Sequence, residues 1–314
     1  MKLDVITVGE AMVQFAASQP GPLDKAVAFA RITAGAEFNV AVGLSRLGLR
    51  VGYVSRLCND SFGRFLTAAM AREGIDTHHV SVDNAHTTGF MLKSRAVDGS
   101  DPKTEYFRRG SAASHLSPAD NPRGYCTASR HLHVTGISVA ISDTARELVF
   151  EMVADARAGG RTVSFDPNLR PSLWPSQQAM IDCLNRLAAR SDWVLPGLAE
   201  GRLLTGCDSP EAIADFYLER GASQVVVKLG PQGAYFAGPS GRGIAPGLPV
   251  AQVVDTVGAG DGFAVGVISG LLEGLALPEA AARGNAIGAR VVQFPGDCDG
   301  LPTRGQLGLV ARTG

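Results

Sequence analysis

Residues 255–263 read DTVGAGDGF, and the fold follows from how this stretch sits among its neighbours. It comes after an extended apolar run, VAQVV (250–254), and opens a helix-like run, FAVGVISGLL (263–272). The expectation is a strand that turns into a helix around Gly258, Ala259, Gly260 and Asp261. Glycines let the backbone bend there and let a ligand approach closely. The N–H groups of a helix's first turn lack intrahelical acceptors, and with the helix dipole they make an anion site. A carboxylate inside that site is out of place if the turn only binds phosphate, because like charges repel. It is in place if Asp261 takes a proton from an attacking hydroxyl while the N–H groups hold the phosphoryl group. The plainer alternative is an N-cap Asp in a glycine-rich turn.

Outward from this stretch, short apolar runs alternate with amphipathic ones. LDVITVG (3–9), VGYVS (51–55), HLHVTG (131–136), TVSFD (162–166), DWVLP (192–196) and QVVVKLG (224–230) read as buried strands. Helix-like stretches lie at 37–47, 61–73, 143–158, 176–189 and 209–220. This alternation predicts an α/β fold: a doubly wound, mostly parallel sheet with helices on both faces. Ligands of such sheets bind beyond the carboxyl ends of the strands. Residues 12–34 and 87–110 break the rhythm, with strand-like runs and no helix of their own. Asp98-Gly99-Ser100-Asp101-Pro102 reads as a turn between two of them. Together they predict a small β-sheet lid that packs on the main domain or on a second subunit, because it is too small to stand alone. The alternative is two separate surface hairpins.

With 314 residues, 45% hydrophobic and 19% charged, the chain is large enough for one globular domain with an appendage. A net charge of −1 argues against a nucleic-acid surface or an anionic membrane as partner. The five cysteines are scattered, with no CxxC or Cys/His cluster, so neither a disulfide framework nor a zinc site is expected. Asp4 and Glu10 interrupt the N-terminal apolar run, which argues against a signal peptide. The sequence shows no uncharged apolar run of membrane-spanning length. The expectation is a soluble cytoplasmic protein.

Three further segments carry chemistry. In AGAEFNVAVGLSRLG (34–48), Gly35 precedes a helix, and Asn39 is a polar side chain in its first turns. Taken alone, this is an ordinary helix start. In FDPNLRPSLW (165–174), Asp166, Asn168 and Arg170 fall at a strand's carboxyl end. Arg170 suits a carboxylate or phosphate, because its planar fork binds both oxygens. A salt bridge closing the loop is the alternative. In VKLGPQGA (227–234), a lysine at a strand end is followed by two glycines, as beside a nucleotide or in a hairpin with an exposed Lys.

In this order and spacing the four motifs resemble the ribokinase-like (PfkB) carbohydrate kinase family, over roughly residues 3 to 303. AGAEFNVAVGLSRLG is similar to the family's N-terminal signature and DTVGAGDGF to its C-terminal one. The resemblance implies one ribokinase-like domain over 1–314 with a lid from 12–34 and 87–110. It implies phosphoryl transfer from ATP, with Mg²⁺, to a sugar hydroxyl. Asp261 then matches the catalytic base, and Gly258, Ala259 and Gly260 the anion hole. Lys228, Gly230, Gly233 and Asn285 fall in the nucleotide region, Glu200 in a metal subsite, and Asp255 and Thr256 where many members bind a potassium-like cation, K⁺. Within the family, AGAE (34–37), YFRRGSAAS (106–114) and DPNLRPSLW (166–174) resemble the branch that acts on the sugar acid 2-keto-3-deoxygluconate. That places Gly35, Asn39, Tyr106, Arg108 and Arg170 on a small-molecule sugar or sugar acid. A homo-oligomer through the lid is also expected, since an unpaired sheet edge is a liability. Three positions depart from the pattern: Ala34 for a glycine, Gly197 for the Asn of an NxxE motif, and Met91 for a substrate-facing Tyr. The alternatives are another family kinase, such as a fructokinase, and a sugar-binding regulator without turnover.

Overall fold

The computed structural model describes residues 3–95 and 102–309. The chain runs β1 (Val5–Val8), β2 (Met12–Pro20), β3 (Phe29–Ala34), α1 (Ala36–Arg46), β4 (Val51–Leu57), α2 (Ser61–Arg72), β5 (Val80–Val82), β6 (Phe90–Arg95) and β7 (Thr104–Phe107). It continues through α3 (Tyr125–Ala128), β8 (His131–Thr135), α4 (Asp143–Ala158), β9 (Thr162–Asp166), α5 (Gln177–Ala188), β10 (Trp193–Val194), α6 (Leu198–Thr205) and α7 (Pro210–Leu218). It ends with β11 (Gln224–Lys228), β12 (Gly233–Gly238), β13 (Gly241–Pro246), α8 (Ala259–Leu272) and α9 (Leu277–Val291). The strands form a nine-stranded sheet, ordered β13-β12-β11-β10-β9-β8-β1-β4-β5, and a four-stranded one, ordered β3-β2-β6-β7. In the large sheet every pairing from β11 to β5 is parallel, and only the β11-β12-β13 edge is antiparallel.

The parallel strands are buried on both faces, which is why β1 and β11 read as mostly apolar runs without polar alternation. One core cluster joins α1, α2, α8 and α9 to one face of the sheet; the other joins α4, α5, α6 and α7 to the opposite face. Several helix starts are set by the sequence. Ser142, Ser176 and Ser209 accept N–H bonds at the starts of α4, α5 and α7, and Asp60 does so for α2. The buried polar side chains of β8 are matched locally. His131 and His133 bond Thr162 and Ser164 on β9, and burial holds both imidazoles neutral.

The lid is one four-stranded sheet, not two hairpins, and its elements lie within 12–34 and 87–110. Phe62 of α2 packs its ring 5.5 Å from both Phe15 and Phe90 of the lid, which fastens the small sheet to the main domain. The turn expected at 98–102 falls on 98–101, outside the described residues. One expectation fails. Residues 250–254 form no strand, and Val253 and Val254 are exposed. An apolar run becomes a strand only beside a free ladder. Here the N–H groups of Val254 and Asp255 instead meet the carbonyl of Val292 at the end of α9. The chain therefore enters α8 from a loop rather than from a strand.

Candidate active site

Parallel strands end on the same side of the sheet, so β9 delivers Asp166 and β11 delivers Lys228 to one place. Lys228 Nζ donates to Asp166 Oδ2 at 2.7 Å. Burial and then the nearby Glu200 carboxylate push Asp166 up to about 6, against the pull of Lys228. Burial works against the charge on Lys228, but Asp166 and Glu200 outweigh it and hold its pKa above the usual value. The loop after β9 turns sharply at Asn168, whose φ of 39° is the only positive value outside glycine among the described residues.

The start of α8 faces this pair. Gly258 is the N-cap, with φ 83°, and a Cβ there would lie 2.7 Å from the carbonyl oxygen of Asp297. Only glycine fits that turn. Asp261 is in the first turn of the helix and does not cap it. Among the described residues, the N–H groups of Gly260 and Asp261 donate to no carbonyl. Around the Gly260 Cβ position the nearest atom is Lys228 Nζ, 3.6 Å away, so the helix start opens onto a cavity. These donors and the helix dipole suit an anion.

The Asp261 carboxyl is gripped from two sides. Asn39 of α1 donates its Nδ2 to Oδ2 at 2.7 Å, and Asn168 donates its Nδ2 to Oδ1 at 3.4 Å. Asn39 is itself oriented: the Cys298 thiol donates to its Oδ1 at 2.9 Å. Burial raises the pKa of that thiol well above its usual value, so it stays a donor. Burial, together with the carboxylates of Asp166 and Asp297, pushes Asp261 up to about 8, and the Asn39 bond opposes the shift. A carboxyl with a near-neutral pKa beside free N–H donors is suited to take a proton while an anion is held.

A cavity of about 400 Å³ lies above this floor. It gathers most of the residues expected from sequence: Gly35, Asn39, Tyr106, Arg108, Arg170, Glu200, Lys228, Thr256, Gly258, Gly260 and Asp261. Tyr106 and Arg108 reach it from the lid side. Arg108 is buried and paired with Glu10 at 2.5 Å, and its Nε has no partner. Arg170 donates to Asn168 Oδ1 at 2.8 Å and to the Leu169 carbonyl at 2.9 Å, so it closes its own loop by hydrogen bonds and also faces the cavity. Glu200 accepts one N–H on each oxygen, from Leu169 and Gly197.

Other expected residues lie outside the cavity wall. Ala259 is the first residue of α8. Gly230 and Gly233 flank a tight turn between β11 and β12, so the hairpin reading of that segment is right; Lys228, though, is paired and largely buried rather than exposed. Asn285 is buried and gives both N–H groups to the carbonyls of Ala245 and Pro246. Asp255 is taken up by Lys93. Ala34 ends β3 in ladder contact with Met12, so the missing glycine leaves the backbone path intact. Met91 packs with Met12 and Ala34 at the cavity edge.

The pfkB family carbohydrate kinase model matches residues 2–304. The chain belongs to the pfkB family of carbohydrate kinases. This kinase is 51% identical over 308 residues to the 2-dehydro-3-deoxygluconokinase of Bacillus subtilis (strain 168), covering 98% of this chain and 95% of that one. Among solved structures, the PfkB protein from Polaromonas sp. JS666 matches it with a TM-score of 0.91 at 55% identity, over 98% of this chain and 100% of that one. A putative ribokinase II from E. coli in complex with ATP and Mg²⁺ matches with a TM-score of 0.88 at 28% identity, over 96% of each chain. A double mutant of the fructokinase from Vibrio cholerae O395, bound to fructose, ADP and potassium ion, matches with a TM-score of 0.83 at 28% identity, over 98% of this chain and 97% of that one.

Proposed function

We propose that this kinase transfers the terminal phosphoryl group of ATP to the C6 hydroxyl of 2-keto-3-deoxygluconate. The observation that carries the reading is one cavity with Asp261 at the start of α8 and two guanidinium groups, Arg108 and Arg170, also on its wall. A sugar acid needs both ends recognised. The arginines offer charge-assisted bonds to its carboxylate. Its far hydroxyl then meets Asp261, which takes the proton. The oxygen bonds to the terminal phosphorus, the bond from phosphorus to the ADP oxygen breaks, and the free N–H groups of the helix start hold the charge that develops. The name of the Bacillus subtilis relative supports this substrate class.

ATP lies on the Lys228 side, towards the Gly230–Gln232 turn and Asn285. Among the described residues no group of three or more acidic, histidine or cysteine side chains could cage a metal. Mg²⁺ keeps its waters and is held by phosphates with one or two carboxylates, and Asp166 and Glu200 both line the cavity. Bound there, Mg²⁺ would neutralise phosphate charge. The test is ADP release across a panel of 2-keto-3-deoxygluconate, 5-keto-2-deoxygluconate, gluconate, fructose and ribose. The highest kcat/KM is expected with the first. Turnover confined to neutral sugars would overturn the substrate, and no ADP release with any would overturn the kinase reading.

A further inference from the structure

Lys93 belongs to the lid strand β6, where it pairs with Ala16 of β2 and Thr104 of β7. Its side chain leaves the lid and enters the main domain. Nζ lies 2.6 Å from Asp255 Oδ2 and 3.1 Å from Asp297 Oδ1, and these side chains are only 3%, 9% and 4% exposed. A buried ammonium is tolerated only when paired, and two neighbouring buried carboxyls stay ionised together only with a cation between them. Asp255 opens the loop that leads into the anion hole, and its Oδ1 accepts the Val257 N–H at 3.0 Å. Asp297 supplies the carbonyl on which Gly258 packs. Lys93 therefore joins the two segments that form the floor under α8.

Asp255 and Thr256 are where the family resemblance places a potassium-like cation, and the Vibrio cholerae fructokinase structure contains potassium ion. The residues present here do not fit one. Both oxygens of Asp255 are engaged, one by Val257 and one by the Lys93 ammonium. A K⁺ touching Asp255 Oδ2 would sit within about 5 Å of Nζ, where two unit charges repel strongly in a buried site. We propose that the Lys93 ammonium takes the place of a monovalent cation, so that this kinase neutralises Asp255 and Asp297 with its own lid and needs no K⁺. A cation tethered to the lid also ties the lid's position to the shape of the anion hole, which a free ion cannot do.

The activity arm of the test rests on the proposed kinase function; the thermal arm does not. Wild-type protein is melted in KCl, NaCl and choline chloride at equal ionic strength, and its Tm should be the same in all three. Lys93→Ala, which opens room for an ion, should melt lower in choline chloride and recover specifically with K⁺ or NH₄⁺. In assays, wild-type kcat/KM should change less than about twofold between KCl and choline chloride. Lys93→Ala should lose more than about tenfold in choline chloride and regain part of it with K⁺, NH₄⁺ or methylammonium. A wild-type Tm or rate that rises specifically with K⁺ overturns the proposal, and this holds even if the variant does not fold. A folded Lys93→Ala protein with no response to any of these cations overturns it as well.

Discussion

The Asp261→Asn variant separates the catalytic reading of that residue from a structural one, because the two predict opposite changes in stability. Burial holds the Asp261 carboxyl at about 8, far above the usual carboxylate range of about 4. A group that binds its proton more tightly in the folded chain costs stability as pH rises from the unfolded pKa to the folded one. At about 1.4 kcal/mol per unit, ionisation-linked destabilisation is on the order of 3 kcal/mol at pH 6 and roughly 5–6 kcal/mol at pH 8.5. Asparagine is nearly isosteric and removes this term. It keeps the 2.7 Å bond from Asn39 and loses only the 3.4 Å one from Asn168, whose donor would face an amide. That loss is worth about 1 kcal/mol or less. The variant should therefore melt above wild type, and its advantage should widen by roughly 2–3 kcal/mol between pH 6 and pH 8.5. Its kcat should meanwhile fall by roughly 10²–10⁴, the usual worth of a general base.

The assay pairs thermal melts at both pH values with kcat and nucleotide affinity. Affinity should change little, because the N–H groups of Gly260 and Asp261 belong to the backbone. For the wild type, kcat/KM should fall about tenfold per pH unit below a limb near 8, where the free enzyme's carboxyl is protonated. If the variant keeps a rate within about threefold of wild type, Asp261 is not the base. If its stability advantage shrinks as pH rises, burial is not what controls this carboxyl, and the electrostatic account of the site is wrong.

Arg170→Ala should lose on the order of 10- to 150-fold in kcat/KM for the sugar acid and less for fructose, which leaves no carboxylate unpaired; equal losses would reduce Arg170 to its loop-closing bonds. Arg108→Ala should show the same preference and also melt lower, since it strands the buried Glu10. Gly260→Ala should melt within a degree or two of wild type, because the new methyl meets nothing closer than Lys228 Nζ at 3.6 Å, yet kcat/KM should drop at least about 10²-fold as the methyl blocks the donors; unchanged kinetics would move the anion site elsewhere. Cys298→Ala frees the Asn39 amide to turn, so kcat should fall about fivefold with the acid limb displaced, while Cys298→Ser, which keeps a donor, should restore both. A rate loss in both variants without movement of the limb would mean packing rather than orientation.

The sheet was legible because apolar residues dominate several of its inner strands, as in VITV of β1 and QVVVK of β11. Asp261 was legible because a carboxylate is an unusual choice beside a glycine turn that opens a helix. What could not be read came from pairing across long sequence distances. The run at 250–254 is as apolar as a strand, but nothing in its own residues says that no ladder is left for it. Asn285 gives both N–H groups to the carbonyls of Ala245 and Pro246, a pairing across about 40 residues that its own neighbours do not announce. Arg108 was expected on substrate, and the Glu10 beside it comes from the far end of the chain. Lys93 left a signal that was there to be used. In FMLKSR side chains alternate, so Lys93 shares a face with Met91, and a lysine on an apolar face implies a buried partner. The identity of that partner, an aspartate pair more than 160 residues further on, was beyond any local reading.

The charges around α8 resolve a conflict built into the proposed chemistry. A base that must take a proton near neutral pH needs negative surroundings, whereas an incoming phosphoryl group needs positive ones. Extra free lysines would bind phosphate but would drag Asp261 back towards an ordinary, weakly basic carboxylate. Here both nearby lysines are drawn into pairs, Lys228 with Asp166 and Lys93 with Asp255 and Asp297. The carboxylates of Asp166 and Asp297 still raise Asp261. What remains to hold the phosphoryl group directly is neutral: backbone N–H groups and the helix dipole at Gly260 and Asp261. Dipoles aimed from a fixed helix start favour charge that develops at one point, and they weaken a base a short distance away less than a full positive charge would. On this reading the buried ion pairs do not serve stability, for which such pairs are poor devices. They withdraw positive charge from the cavity so that Asp261 keeps its proton affinity.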